Sequence, residues 1–265
     1  MKKEYINKTA WNKILIFLKS VKNIYLGDEN KCKRFMEAVY WIMRTGAQWR
    51  ELPNEYGNWN TVFQRFNAWS KKNIWGDLHA FCIEDPDLES VMIDATIVRA
   101  HPCASGYKKG QQDLQGLGRS KGGFTSKIHA KVDALGNPLQ FINTPGQTSD
   151  ITQAAALTHD VKNCYVLADK GYDSDGLRSK LEQKGCTTVI PGRSNRIVPV
   201  EYDEHIYKER HLVECFFSKM KQFRRVFSRF DKSMCNFMSF FIFCRSMFMV
   251  ALKTQQNLIN SQISS

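Results

Sequence analysis

The chain has no C-x-x-C pair and no Cys/His pairs at zinc-ligand spacing, which removes a structural zinc module from consideration. Several of its eight cysteines sit in strongly apolar stretches and read as reduced, buried thiols of a cytosolic protein. No charged, apolar and small-residue succession of a signal peptide opens the sequence, which argues against secretion. The greasiest run, Phe237 to Leu252, has sixteen residues and is broken by Arg245; this predicts a core helix rather than a membrane span. No internal repeat is present. Acids are in deficit, 26 against 38 Lys and Arg, giving a formal charge of +12. That balance favours a polyanionic partner, nucleic acid ahead of an anionic membrane surface, while a merely basic soluble protein remains an alternative.

What is present is enough apolar and aromatic content, 43% and 12%, for a substantial core over 265 residues. Residues 1–89 read as mainly helical. The period of Phe35, Ala38, Val39, Ile42 and Met43 predicts a helix that Gly46 stops. After a turn-rich loop, Asn60 is expected to cap a second helix with Val62, Phe63, Phe66 and Trp69 inward. Its other face carries Gln64, Arg65, Lys71 and Lys72, the side chains of a helix that enters a DNA groove. The connection between these helices exceeds the usual helix-turn-helix length. Five of the six tryptophans lie between Trp41 and Trp75 and are expected to fill a core.

After Asp85-Pro86-Asp87 the pattern changes. Residues 90–97 suit a buried strand with one acid, Asp94, inside it, and 100–123 read as a mobile loop. Two strand-like runs flank Ala134-Leu135-Gly136-Asn137, a hairpin signal. Helix 151–160, strand 164–168 ending at Asp169, helix 174–184, strand 187–190 and a long helix around Glu214 follow. The class is therefore mixed α/β around one sheet. The expected domains are 1–89, helical and DNA-binding; 90–255, the mixed α/β domain; and 256–265, a polar tail. Asp133, Asp150, Asp173 and Asp175 are expected to cap turns and helix starts, His129 to be a satisfied core or edge histidine, and His101 to make a loop or DNA-backbone contact.

On a helix, the spacing of Tyr207, Arg210, Glu214 and Lys221 puts all four within roughly 60° of one face, opposite a buried stripe of Val213, Phe216, Met220 and Phe223. Cations are densest here, at 206–232, where Arg224 and Arg225 follow. If the strands bearing Asp94 and Asp169 are neighbours, the two acids meet at the sheet centre, at a cost of several kcal/mol unless a cation joins them. Glu214 would complete three hard oxygen ligands suited to Mg²⁺ or Mn²⁺. Two such ions suit in-line displacement at phosphorus, with Arg210 and Lys221 on neighbouring phosphates. Strand-end acids that cap turns are the competing reading.

Four sets of residues resemble one family. Tyr207, Arg210, Glu214 and Lys221 fit a Tyr-x2-Arg-x3-Glu-x6-Lys signature. Ile93-Asp94-Ala95-Thr96 and Ala168-Asp169-Lys170-Gly171-Tyr172-Asp173 surround the two aspartates. Arg119 to Gly123 with Lys127 to Ala130, and Thr144-Pro145-Gly146-Gln147, complete the set. Over roughly 90–252 the chain is similar to bacterial insertion-sequence transposases of the DDE class, and 31–80 resembles their helical amino-terminal region.

The resemblance implies an RNase H-like domain with Asp94, Asp169 and Glu214 as catalytic ligands of two Mg²⁺ or Mn²⁺ ions. Tyr207, Arg210 and Lys221 would contact DNA near the cut, with Arg224 and Arg225 adding to the interface. It further implies binding to terminal inverted repeats, end cleavage, joining of 3′-hydroxyls to target DNA, a homodimer or larger multimer on DNA, and a bacterial cytoplasmic, nucleoid-associated location. Only 44 residues separate Asp169 from Glu214, so the large β-rich insertion of some relatives is absent and second-strand processing stays open. A non-cutting repressor descended from a transposase and a nuclease that never joins are the alternative functions.

Overall fold

The computed structural model describes residues 4–22, 24–83, 85–105 and 115–263, with side chains beyond 250 left aside. Much of the loop expected over 100–123 therefore lies outside the described residues. The chain divides into two compact units, one from 1–84 with 220–265 and one from 85–219.

In the first unit, α1 (Lys8–Ser20) is capped by Asn7, whose side chain accepts from Ala10 N at 2.8 Å. Helix α2 (Glu29–Thr45) starts at the Asp28 cap and ends at Gly46, whose left-handed φ of 69° and N–H to Ile42 O close the last turn. A Cβ on Gly46 would also stand 2.9 Å from the Arg224 Cβ, so glycine is required there twice over. Helix α3 (Trp59–Lys71) is capped by Asn58, which takes the N–H groups of Asn60 and Thr61. The expected cap, Asn60, is thus a donor, because the helix begins one residue before it. Helix α4 (Ile74–Cys82) follows.

The packing of this unit divides the chain differently from the expected domain boundary. The long α9 (Met234–Ile263) packs on α3 and α4: Phe240 stacks on Phe66 with centroids 4.4 Å apart, and Phe243 meets Trp75 at 4.9 Å. Residues 220–255 belong by packing with the amino-terminal helices, since the buried stripe of Phe237, Phe240, Phe241 and Phe243 needs an aromatic surface of matching size. The expected polar tail at 256–265 lies largely within the backbone of α9. The tryptophans fill a core as expected, with Trp69 and Trp75 buried.

The second unit is a mixed sheet with helices. Its strands are β1 (Ser90–Ala100), β2 (Gly118–Ser120), β3 (Gly123–Val132), β4 (Pro138–Pro145), β5 (Tyr165–Leu167) and β6 (Thr187–Val189). β3 runs antiparallel to β1, β2 and β4, while β1, β5 and β6 are parallel neighbours. The β3–β4 turn is organised by Asp133, which accepts from Leu135 N at 3.0 Å and Asn137 N at 2.7 Å, as expected of a turn-capping acid. One apolar layer buries Val91, Ile93, Val166 and Ala168 under α5 (Ile151–Leu157) and α6 (Asp175–Glu182), through Leu157, Leu177 and Leu181. The side chains of Met92 and Asp94 alternate to the other face.

Candidate active site

Strand register brings the two aspartates together. β1 and β5 pair in parallel with Met92 opposite Leu167; carrying that register on by two residues sets Asp94 opposite Asp169. Across the sheet, Asp94 also pairs with Ala130, and Ala130 with Phe141 of β4. Phe141, Ala130, Asp94 and Asp169 therefore form one row. Phe216 of α8 (His211–Lys221) stacks on Phe141 at 5.8 Å, which lays α8 over this row. The start of α8 rests on the hairpin turn, where a Cβ on Gly136 (φ 75°) would stand 3.2 Å from Leu212.

Glu214 projects from that helix and is exposed. The helix is not continuous back to Tyr207: α7 (Glu204–Tyr207) is followed by a 3₁₀ turn, Lys208–Arg210, before α8. The face survives the change of winding. Arg210 lies 5.8 Å from the Tyr207 ring, donates to Asp94 Oδ2 at 2.9 Å through Nη1 and pairs with Glu214 Oε1 through Nη2. One guanidinium thus links an acid of the sheet to an acid of the helix.

Burial pushes Asp94 up to about 6; the Asp169 charge adds to this, while the Ala95 N–H and Arg210 oppose it. Asp169 accepts from Gly171 N at 2.8 Å, so it does cap a turn, and it does so without leaving the neighbourhood of Asp94. Tyr172 is fully buried, and its phenol is raised by burial and then by Asp150, Asp94 and Asp169.

The donor set is hard oxygen, and it fits Mg²⁺ or Mn²⁺ in chemistry. Among the described residues no three His, Cys, Asp or Glu side chains converge on one point. The Arg210 fork holds one oxygen each of Asp94 and Glu214 and supplies the positive charge between them.

Several expected site residues have other duties. Arg65 is not free to read bases: its guanidinium donates to Tyr25 O and Leu26 O at 3.3 Å and stacks 4.5 Å from Phe35 and 4.9 Å from Trp69. Arg225 is 5% exposed and held in a fork by Asp231, with 3.0 Å bonds from Nε and Nη2, and by Ala47 O at 2.9 Å. Arg225 is buried and Arg65 half-buried against aromatic neighbours whose positions sequence spacing does not reveal. Gln64, Lys71, Lys72, Lys221 and Arg224 are exposed.

Asp150 pairs with Lys127 at 2.9 Å rather than capping α5. Asp173 is no cap either. It is buried, and it takes Arg178 Nη2 at 2.9 Å, Arg196 Nη1 at 2.8 Å and Arg193 N at 2.9 Å, which together pull its carboxyl below the usual range in spite of burial. His129 is fully buried and bonds Thr144 Oγ1 at 2.8 Å, as expected of a core histidine. His101 is exposed and accepts from Cys103 N at 3.2 Å. Spacing arguments do not reveal the arginine cluster on Asp173, because Arg193 and Arg196 lie twenty or more residues beyond it in a stretch without periodicity.

Comparison with known proteins matches residues 85–242 to the model described as "Transposase DDE domain" and residues 6–79 to "Putative transposase of IS4/5 family". A relative from Brucella ovis, the putative transposase for insertion sequence element IS6501, is 44% identical over 44% of this chain and 92% of its own length. The putative transposase for insertion sequence element IS402 of Burkholderia cepacia is 31% identical over 40% of this chain and 54% of its own. The cryo-EM structure of the piggyBac transposase synaptic complex with hairpin DNA aligns over 91% of this chain and 70% of that one, with 11% identity and a TM-score of 0.47. Among the described residues no helix is long and apolar enough to cross a membrane. The chain belongs to the DDE-domain transposases of bacterial insertion sequences.

Proposed function

We propose that this transposase binds the terminal inverted repeats of its element, cuts at the ends and joins the freed 3′-hydroxyls to target DNA, with Asp94, Asp169 and Glu214 as the essential acids. The observation that supports the reading is the parallel pairing of β1 with β5, whose register, carried on two residues past Met92 and Leu167, leads to Asp94 and Asp169, together with the tie of Glu214 to Asp94 through Arg210. Such an arrangement is costly for a protein without a cationic ligand to receive.

DDE transposase domains generally use divalent metals, and here Asp94, Asp169 and Glu214 would hold them. Bound there, the ions would activate the attacking hydroxyl or water and stabilise the leaving 3′-oxygen. The chain's own groups orient the DNA. Arg210 suits a bidentate grip on a phosphate, and Lys221, exposed at the end of α8, suits a point-charge contact with the next. The Tyr207 ring, against the Arg210 guanidinium, steadies that fork. Two ends must be joined in concert, so the active form is a dimer or larger assembly on DNA, acting in the bacterial cytoplasm.

The test is strand transfer with purified protein, a labelled repeat end, a target plasmid, and Mg²⁺ against EDTA. Joined product that requires Mg²⁺ and disappears in Asp94→Asn and Glu214→Gln is expected. Undiminished joining by either variant overturns the assignment. Tight repeat binding without nicking by the wild type would identify a repressor, and cutting that never leads to joining would identify a nuclease.

A further inference from the structure

Between β6 and α7 the chain makes a long surface loop, and at its tip Ile197 is 97% exposed and Val198 70% exposed. Two adjacent aliphatic side chains held in water are costly, and a flexible loop could turn them inward. This one is fastened. Arg193 donates to Lys170 O at 3.2 Å and Gly171 O at 2.9 Å, and its backbone N–H goes to Asp173. Arg196 bonds Asp173 at 2.8 Å, pairs with Asp175, and reaches forward to Val198 O at 3.1 Å, so it fixes the tip itself. Asp173, which anchors both arginines, is itself buried and locked by Arg178.

The fastening points are informative. Lys170 and Gly171 form the turn that Asp169 caps, so the apolar tip is bolted to the segment that carries one of the site acids. Arg193 is exposed and bonded to carbonyl oxygens, and therefore keeps its positive charge at the surface beside the exposed Lys170. A rigid aliphatic pair flanked by cations is what a wedge for a base step requires: the cations hold phosphates on either side while the side chains enter the stack.

We infer that Ile197 and Val198 insert into the DNA duplex at the element end, unstacking the base step next to the phosphodiester presented to Asp94, Asp169 and Glu214. The inference rests on the end-binding reading above and adds a residue-level device to it. The wedge opens the end so that the scissile strand can bend toward the acids, and Arg193 fixes the depth of entry.

The test uses the full chain and a duplex carrying one inverted repeat, with 2-aminopurine at the step flanking the cut, in EDTA so that no cleavage occurs. Wild-type binding is expected to raise the fluorescence roughly threefold as the base unstacks. Ile197→Ser with Val198→Ser changes two exposed side chains, so the fold is not at risk; it should bind within about twofold of wild type, show no fluorescence rise, and cut slowly in Mg²⁺. A duplex already mispaired at that step should restore its cutting rate. A fluorescence rise that persists in the double variant overturns the inference. So does a double variant whose sole change is weaker self-association in sedimentation, which would assign the tip to a second copy of the chain. Wild-type protein that binds no repeat overturns the end-binding reading itself, and the wedge with it.

Discussion

Replacing Arg225 with alanine separates a DNA-contacting cation from a structural one. By charge and spacing Arg225 belongs with the basic stretch of 206–232, yet its side chain is 6% exposed and faces Asp231 at 7%. Its guanidinium lies 5.7 Å from the Trp49 ring and 5.1 Å from Phe240. Removing the guanidinium takes from the buried Asp231 carboxylate the fork that holds both its oxygens, and from Ala47 O its donor, a loss of about 3–5 kcal/mol. Removing both partners, as Arg225→Met with Asp231→Leu, should cost far less, within about 1–2 kcal/mol of wild type, because the desolvation penalty goes with the pair. All six tryptophans lie between residues 11 and 75, so their fluorescence during urea unfolding reports the unit that contains this ion pair. At a temperature where Arg225→Ala is still folded, the salt dependence of its DNA affinity should match wild type. A variant as stable as wild type whose log–log salt slope is shallower by about one would refute the reasoning and return Arg225 to the phosphate contacts.

Three further outcomes follow from the same structure. Arg210→Met should tighten Mn²⁺ binding by the metal-free protein, measured calorimetrically, by about tenfold, because the ion no longer competes with a guanidinium for Asp94 and Glu214; unchanged or weaker binding would show that Arg210 does not compete. Asp173→Ala should lower the thermal stability of the sheet unit by about 3–5 kcal/mol, since it strands the buried Arg178, whereas an exposed change such as Lys180→Ala should fall within about 0.5 kcal/mol. Burial holds His129 at about 4, and burial together with Arg245 holds His79 at about 3, both from 6.5. The unfolded chain therefore takes up protons first on acidification, and stability present above pH 6.5 should be lost at about 1.4 kcal/mol per pH unit for each histidine, down to about pH 4 for His129 and about pH 3 for His79; His129→Gln that leaves the slope between pH 6.5 and 4 unchanged in urea titrations contradicts it.

The elements readable from sequence are those whose cause is local. Gly46 ends α2 because a left-handed residue is needed there, and Ala134 to Asn137 turn β3 into β4 around Asp133. Asp94 and Asp169 could be put at strand positions by pattern, and the parallel order that makes them neighbours is a property of the sheet. What spacing does not contain is the destination of a long cation. Arg65 and Arg225 look like Lys71 and Arg224 in a row of letters, and differ only in meeting aromatic rings and carbonyls contributed by distant segments. The same holds for Asp173, whose arginines at 193 and 196 are brought back by a loop with no periodic signal. Likewise, the apolar period of 237–250 announces a helix and leaves open which unit it joins.

The sheet unit is one uninterrupted stretch, whereas the helical unit is assembled from segments on both sides of it. On the ribosome, the partners of Phe66 and Trp75 are Phe240 and Phe243, made some 170 residues later. At about 5–20 residues per second, the first helices wait roughly 10–30 s for the strand of chain that completes their core, a delay during which the sheet can already form. Synthesis order thus separates the two halves in time: the row of acids can be assembled while the helical core is still open, and a chain cut short before residue 234 keeps every acid yet lacks the helix that closes its partner unit.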